Sequence, residues 1–319
     1  MNTSPAELER NKAIVRSFKE CQGTKDQDAT MREIMAPNYN RVRGGLINLA
    51  ENAEGQDFPG PGLFLRKALP DRVDAIEDIV AEGDRVAMIW RLNATHTGNL
   101  FGIPPTGRRI DIYEVGFFRL ADGKIVEGWF MCDELGLLMQ LGRQMPKRKD
   151  GRVIAPHVTE EGEAADALIE GVMSRGNAMQ PDRNKLEILR SKSSKAQPQR
   201  KSADYVQSRS GFHHLHDYGR RNGLAASGPN QAFPDRTDRI VRLVAEEDKV
   251  WTQFNLHGTH SGSFYDIAAT NKRCVVSEIG ICRFAGDEWV QGWYFADELG
   301  LLLQLNAVHV LEKLGCQPV

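Results

Sequence analysis

The sequence predicts an α+β protein built from two tandem copies of one unit, each with helices packed on one face of a curved antiparallel sheet that encloses a pocket. Three observations carry this. The 319 residues suffice for two domains of roughly 150 residues each. Pro70 to Leu141 aligns without a gap on Pro234 to Leu305, 164 residues downstream, with 32 identities in 72 positions. Each copy also runs from helical spacing to strand-like runs and back to a helical stripe.

A repeat of this length is too long for a solenoid, so each copy is read as a domain with its own core. Arg143 to Arg152 is basic, carries Pro146 and Gly151, and lacks an apolar period, as a solvated linker does. The predicted organisation is a first domain over 1–145, a linker over 146–160 and a second domain over 161–319.

Taking the elements in order, Asn11 to Lys19 and Ala164 to Met173 show helical spacing and open the two copies. In copy one, three strand-like runs follow: Ile76 to Ala94, broken at Gly83 and Asp84, then Arg108 to Leu120 and Lys124 to Cys132. Asp122 and Gly123 make the last two a hairpin. Leu135, Leu138 and Leu141 form a closing helical stripe, and Asp133 and Asp297 stand directly before their stripes, at N-cap positions. Copy two carries a polar insertion, Arg190 to Lys201, read as an exposed loop.

Composition narrows the function. With 41 basic and 43 acidic residues, no global field steers the chain to nucleic acid or an anionic membrane. No apolar run approaches the ~20 residues of a membrane span, and no basic head with an apolar stretch opens the chain, so a cytoplasmic location is expected. Cys21, Cys132, Cys274, Cys282 and Cys316 are odd in number and lack metal-ligand spacing, which predicts small buried apolar residues.

One carboxylate stands on an otherwise apolar strand face in both copies. Alternate residues read Ile110, Ile112, Glu114, Gly116, Phe118, Leu120, and again Cys274, Val276, Glu278, Gly280, Cys282, Phe284. Strand parity turns Glu114 and Glu278 inward. There, burial disfavours the charge and raises the pKa toward the range where proton transfer works best. The competing reading is a structural Glu held by an amide or an Arg. His96 and His260 end neighbouring strands, as pocket ligands that orient the Glu or as side chains held by backbone at a bend. Trp90, Phe118, Phe130, Tyr294 and Phe254 are candidate cavity-wall residues. His213, His214 and His216 are the densest set of metal-ligand types, but only His214 and His216 would share a strand face, and no second ligand pair accompanies them.

The stretch from Gly60 to Asp71, with Glu82 to Val86, Thr95 to Gly98, Gly102 to Arg108, Asp122 to Glu127 and Gln140 to Gly142, resembles the SnoaL-like polyketide cyclases, members of the cone fold typified by nuclear transport factor two. The resemblance implies two tandem cone-shaped α+β barrels. It also implies cofactor-free ring closure by intramolecular aldol condensation, with a pocket aspartate as general acid/base. That aspartate falls on Phe130 and Tyr294 here, and a pocket histidine of the family falls on Gly116 and Gly280.

The reading is therefore a pocket protein performing cyclisation, isomerisation or dehydration on a small oxygenated apolar ligand, without cofactor or metal. Glu114 acts with His96 as helper, and Glu278 and His260 are their counterparts. Copy one is favoured as the active copy because it keeps the Pro104-Pro105-Thr106-Gly107-Arg108 turn. Copy two is expected to complete an intramolecular pseudo-dimer. The alternative is a non-catalytic binding protein of the same fold, favoured by the two aromatic replacements.

Overall fold

A computed structural model describes residues 3–53, 61–176, 179–195 and 199–319. It divides into two compact units, Met1–Pro156 with Val308–Val319, and His157–Ala307.

In the first unit, α1 (Pro5–Glu20), α2 (Gln27–Ile34), β1 (Met35–Arg43), α3 (Ile47–Asn52) and α4 (Pro61–Ala68) precede β2 (Val73–Glu82), β3 (Arg85–Thr95), β4 (Arg109–Ala121), β5 (Lys124–Cys132) and α5 (Glu134–Leu141). Ser4 caps α1 by accepting the Glu7 N–H, and Pro5 fits its first turn. Val15, Phe18 and Lys19 turn inward from α1. Val15 and Phe18 pack with Val86, Met88, Trp90, Phe118 and Phe130 in the core.

In the second unit, β6 (Glu163–Ala164), α6 (Ala165–Arg175), α7 (Gln180–Ser191), β7 (Lys201–Arg209), α8 (His213–Arg221) and α9 (Pro229–Ala232) precede β8 (Thr237–Glu246), β9 (Lys249–Thr259), β10 (Arg273–Ala285), β11 (Glu288–Ala296) and α10 (Glu298–Leu305). The short α11 (Val310–Lys313) follows. The sequence boundary assigns that tail to the second copy, but its backbone bonds reach the first: Gln144 N–H donates to Gln317 and Gln317 N–H to Gly142.

The sheets run β1-β5-β4-β3-β2 and β6-β8-β9-β10-β11-β7. Each is open at both edges, so neither closes into the predicted barrel. Extra residues Glu77 and Val126 interrupt the pairing in one sheet, Val241 and Val290 in the other, at matching places; such bulges bend strands. The edge strands β1 and β7 pair parallel to β5 and β11. They escape sequence reading because they are half solvated and carry no apolar alternation.

The polar stretch is not one loop. Arg190 lies in the last turn of α7, Lys201 opens β7, and residues 196–198, like Gly60 of the family-like stretch, lie outside the described residues. All five cysteines are buried and unbridged. Among the described residues, no helix is long and apolar enough to cross a membrane.

Candidate functional site

Glu114 is the cross-strand neighbour of Trp90, and Glu278 that of Phe254. Both carboxylates border a cluster whose Arg, Asp and Lys members repeat. In the first domain, Arg72 holds Asp74 through two bonds of 2.9 and 2.8 Å. Lys19 Nζ lies 3.5 Å from both Asp74 and Glu114 and 3.6 Å from the Trp90 ring centroid. In the second, Arg236 holds Asp238 at 2.8 and 3.0 Å, Lys192 Nζ reaches Asp238 at 2.8 Å, and that ammonium lies 3.4 Å from the Phe254 centroid.

Sequence reasoning passed over these lysines, arginines and aspartates, although Pro70-Asp71-Arg72 and Pro234-Asp235-Arg236 stand in the repeat. Arg72 and Arg236 could have been found there. Lys19 and Lys192 could not, because they lie outside the gapless alignment and meet the cluster only through the fold.

The clusters differ at their carboxylates. Trp90 Nε1 donates to Glu114 Oε2 at 3.1 Å, while Lys19 and Arg72 lie 3.5 and 3.8 Å away. Glu114 is thus tied into an ion network, which corrects the expectation of a carboxylate walled only by apolar groups. Glu278 is 6% exposed, and its Oε2 has no hydrogen-bond partner among the described residues. The nearest cation, Arg236 Nη2, is 3.6 Å away. Burial pushes the Glu278 pKa up, and Arg236 and Lys192 offset this only in part. Asp238 goes the other way: burial opposes its charge, but Lys192 and Arg236 outweigh that and hold it down to about 2.

Two glycines admit the carboxylates. A Cβ on Gly45 would stand 2.1 Å from Glu114 Oε1, and one on Gly211 would stand 2.1 Å from Glu278 Oε1. Gly116 and Gly280 have a different reason. Gly116 faces Phe130 across the sheet and Gly280 faces Tyr294. A Cβ at 116 would meet the Phe118 and Phe130 rings at 2.8 and 3.2 Å, and one at 280 the Tyr294 ring at 3.1 Å. The Phe130 and Tyr294 rings therefore fill the space that a side chain at 116 or 280 would need.

The cavities open beside these groups. Phe18, Lys19, Met31, Met35, Glu114 and Phe130 help to line one of about 300 Å³. Ser191, Ser210, Arg236, Glu278, Trp289 and Tyr294 help to line one of about 560 Å³. Trp90 and Phe254 lie beneath their clusters with 0% exposure, and Phe118 packs edge-on against Phe130.

His96 and His260 stay outside both cavities. His96 is six residues along β3 from Trp90, about 20 Å at the usual strand rise. Its Nδ1 accepts the Thr106 N–H at 3.3 Å, and His260 accepts that of Thr270 at 3.2 Å. Burial lowers the pKa of both imidazoles. The expected helper role is replaced by a turn anchor. Gly98 and Gly262 complete that anchor, because a Cβ there would press on the Lys67 and Gln231 carbonyl oxygens at 2.2 and 2.0 Å.

The Pro104-Pro105-Thr106-Gly107-Arg108 turn does not single out copy one either. Arg108 donates to the Gln140 carbonyl, and Lys272 to that of Gln304, each at 3.2 Å.

Asp133 and Asp297 cap α5 and α10, accepting the Gly136 and Gly300 N–H groups at 2.9 Å. Their neighbours Glu134 and Glu298 reach across the domain and accept N–H groups of Leu49 and Leu215 at 2.8 Å, which seats α3 and α8 over the sheets. His213, His214 and His216 sit on α8, so the strand spacing that would bring His214 and His216 to one metal does not apply. Among the described residues no three His, Cys, Asp or Glu side chains are placed to hold a metal ion.

Each copy of the duplicated α+β unit thus carries an ionisable cluster beside a cavity. A family model described as SnoaL-like polyketide cyclase matches residues 64–141 and 212–305, more than half of the chain, and the chain belongs to that family. The aklanonic acid methyl ester cyclase DauD of Streptomyces sp. (strain C5) is 38% identical over 145 residues, 45% of this chain and 88% of that protein. DnrD of Streptomyces peucetius, named for the same activity, is 42% identical over 135 residues, 42% of this chain and 91% of that protein. A solved SnoaL-like polyketide cyclase of Agrobacterium tumefaciens strain C58 is similar over 41% of this chain and 97% of its own, with 19% identity and a TM-score of 0.32.

Proposed function

We propose that the chain catalyses cofactor-free acid/base chemistry on a small oxygenated ligand, a ring closure of the kind for which the two streptomycete relatives are named, with Glu278 moving the proton. The observation that carries this is the buried Glu278 carboxyl at a cavity wall, with Arg236 as its nearest cation and one oxygen unbonded. Its ionised form takes a proton from a carbon beside a carbonyl, and the resulting enolate is drawn to Arg236. The enolate carbon attacks a second carbonyl of the same molecule, and the alkoxide takes the proton back from Glu278. Atoms balance and no redox partner enters. Isomerisation needs only the first proton transfer and its return to another carbon.

In this reading Glu114 is the structural counterpart, held by Trp90, Lys19 and Arg72. The test is turnover of aklanonic acid methyl ester by wild type and Glu278→Gln. A loss of about a hundredfold or more in kcat with KM little changed supports the proposal; equal turnover refutes it. The replacement of the family aspartate by Phe130 and Tyr294 favours a second reading, a binding protein without turnover. Tight ligand binding by a wild type that leaves the ligand unchanged would select it.

A further inference from the structure

The two cavities share a frame but not a wall. In the first domain the Phe18, Phe118 and Phe130 rings pack on one another with centroids 5.3 to 5.8 Å apart. Met31, Met35 and Leu65 extend that apolar lining.

In the second domain the same three places hold Ser191, Cys282 and Tyr294. The equivalence of Phe118 with Cys282 and of Phe130 with Tyr294 follows from the repeat. That of Phe18 with Ser191 follows from Lys19 and Lys192, which make the same ion pair and lie over the same ring position. Gly44, beside the carboxylate-seating Gly45, is matched by Ser210 beside Gly211.

Of the hydroxyls so gained, that of Ser191 donates to the Ile188 carbonyl at 2.7 Å and that of Tyr294 lies 3.9 Å from Cys282 Sγ, which leaves Ser210. Ser210 Oγ and Glu278 Oε2 are both buried without a hydrogen-bond partner among the described residues, and both line the cavity of about 560 Å³. Lys201, at the same cavity, lies over the Tyr205 and Trp289 rings at 4.1 and 4.9 Å and has no carboxylate partner among the described residues. Buried polar groups are almost always bonded, and a site with such groups rejects ligands that leave them unpaired.

We infer that the second cavity alone is the ligand-loaded one, and that Ser210 and Tyr294, beside Glu278, select there a ligand carrying hydroxyl groups, while the Phe18 and Phe130 rings narrow the first. This rests on the proposed function in treating these cavities as ligand pockets, and adds which one is used and what sets its preference.

The test is calorimetric titration of the full chain with 1,8-dihydroxyanthraquinone and with anthraquinone, the same rings without hydroxyls. The expected result is one dihydroxy probe per chain, with anthraquinone at least tenfold weaker. Ser191→Phe, which restores the ring of the first domain, removes binding. Tyr294→Phe, the residue type the first domain already accommodates, weakens it about tenfold, the effect of one hydrogen bond. Met31→Trp, which fills the first cavity, leaves one probe bound.

Two equivalent probes per chain, binding lost to Met31→Trp but not to Ser191→Phe, or equal affinity for both probes overturns the inference. Each of those outcomes leaves the proposed function standing if Glu278→Gln still abolishes turnover. Binding of neither probe to any of these proteins overturns the inference, and unaltered turnover in Glu278→Gln then removes the proposed function as well.

Discussion

Trp90 Nε1 hydrogen-bonds Glu114 Oε2 at 3.1 Å, whereas Phe254, the cross-strand partner of Glu278, offers no donor. With Lys19 also donating to Glu114 Oε2 at 3.5 Å, the half-buried carboxylate of the first domain is bonded, while Glu278 Oε2 has no partner among the described residues. A donor favours the ionised form, so Phe254→Trp is expected to lower the Glu278 pKa and to move the acid limb of the kcat profile to lower pH. A pH–rate profile on the variant checks this, and an unmoved limb counts against Glu278 as the titrating group.

Stability should show the same group. Because the folded state raises Glu278 above its ordinary 4.5, the folded chain holds that proton more tightly than the unfolded one. Its contribution is complete below pH 4.5 and is lost as pH rises through the folded value. Glu278→Gln removes this loss, so urea midpoints of the variant should fall less than those of wild type between pH 4.5 and 8.

Asp238 has the opposite sign. Its pKa drops from 3.8 to about 2 in the fold, so its contribution is present above pH 3.8 and disappears as pH falls toward 2. A shift of this size corresponds to about 2 kcal/mol. Asp238→Asn should cost about that much at neutral pH and flatten the acid denaturation curve over the same window, as read by circular dichroism.

Gly211→Ala tests placement rather than charge. The added Cβ meets the movable end of Glu278, 2.1 Å from Oε1, so the side chain should swing away. Stability should fall by only about 1–2 kcal/mol, while kcat drops as steeply as in Glu278→Gln. Normal kcat in a folded Gly211→Ala protein would show that the carboxylate does not need this seat.

The repeated Asp-Glu pair before α10 separates two structural roles. Asp297→Ala should cost about 1 kcal/mol as an ordinary cap. Glu298→Ala should cost more, about 2–3 kcal/mol, because a 3%-exposed carboxylate that bonds the start of α8 is lost. Chemical denaturation of the two variants checks the order.

The duplication, the strand runs of the two hairpins, the inward parity of Glu114 and Glu278 and the caps at Asp133 and Asp297 were legible along the chain, because each depends on local period or on the repeat. β1 and β7 were not, since their pairing on one edge leaves no apolar alternation. The histidines misled for a related reason. A Thr-His-x-Gly turn looks alike whether it lines a pocket or anchors a bend, and only the Thr106 and Thr270 bonds distinguish the two.

The chain alone determined the architecture and the two carboxylate positions, because hydrophobic period and self-similarity are properties of the order of residues. Which cations face those carboxylates was decided by the tertiary structure. Lys19 and Lys192 come from helices far away in sequence, and charge interactions depend on distances that only packing sets. The same holds for Phe130 and Tyr294, whose rings occupy, across the sheet, the space a side chain at Gly116 or Gly280 would need.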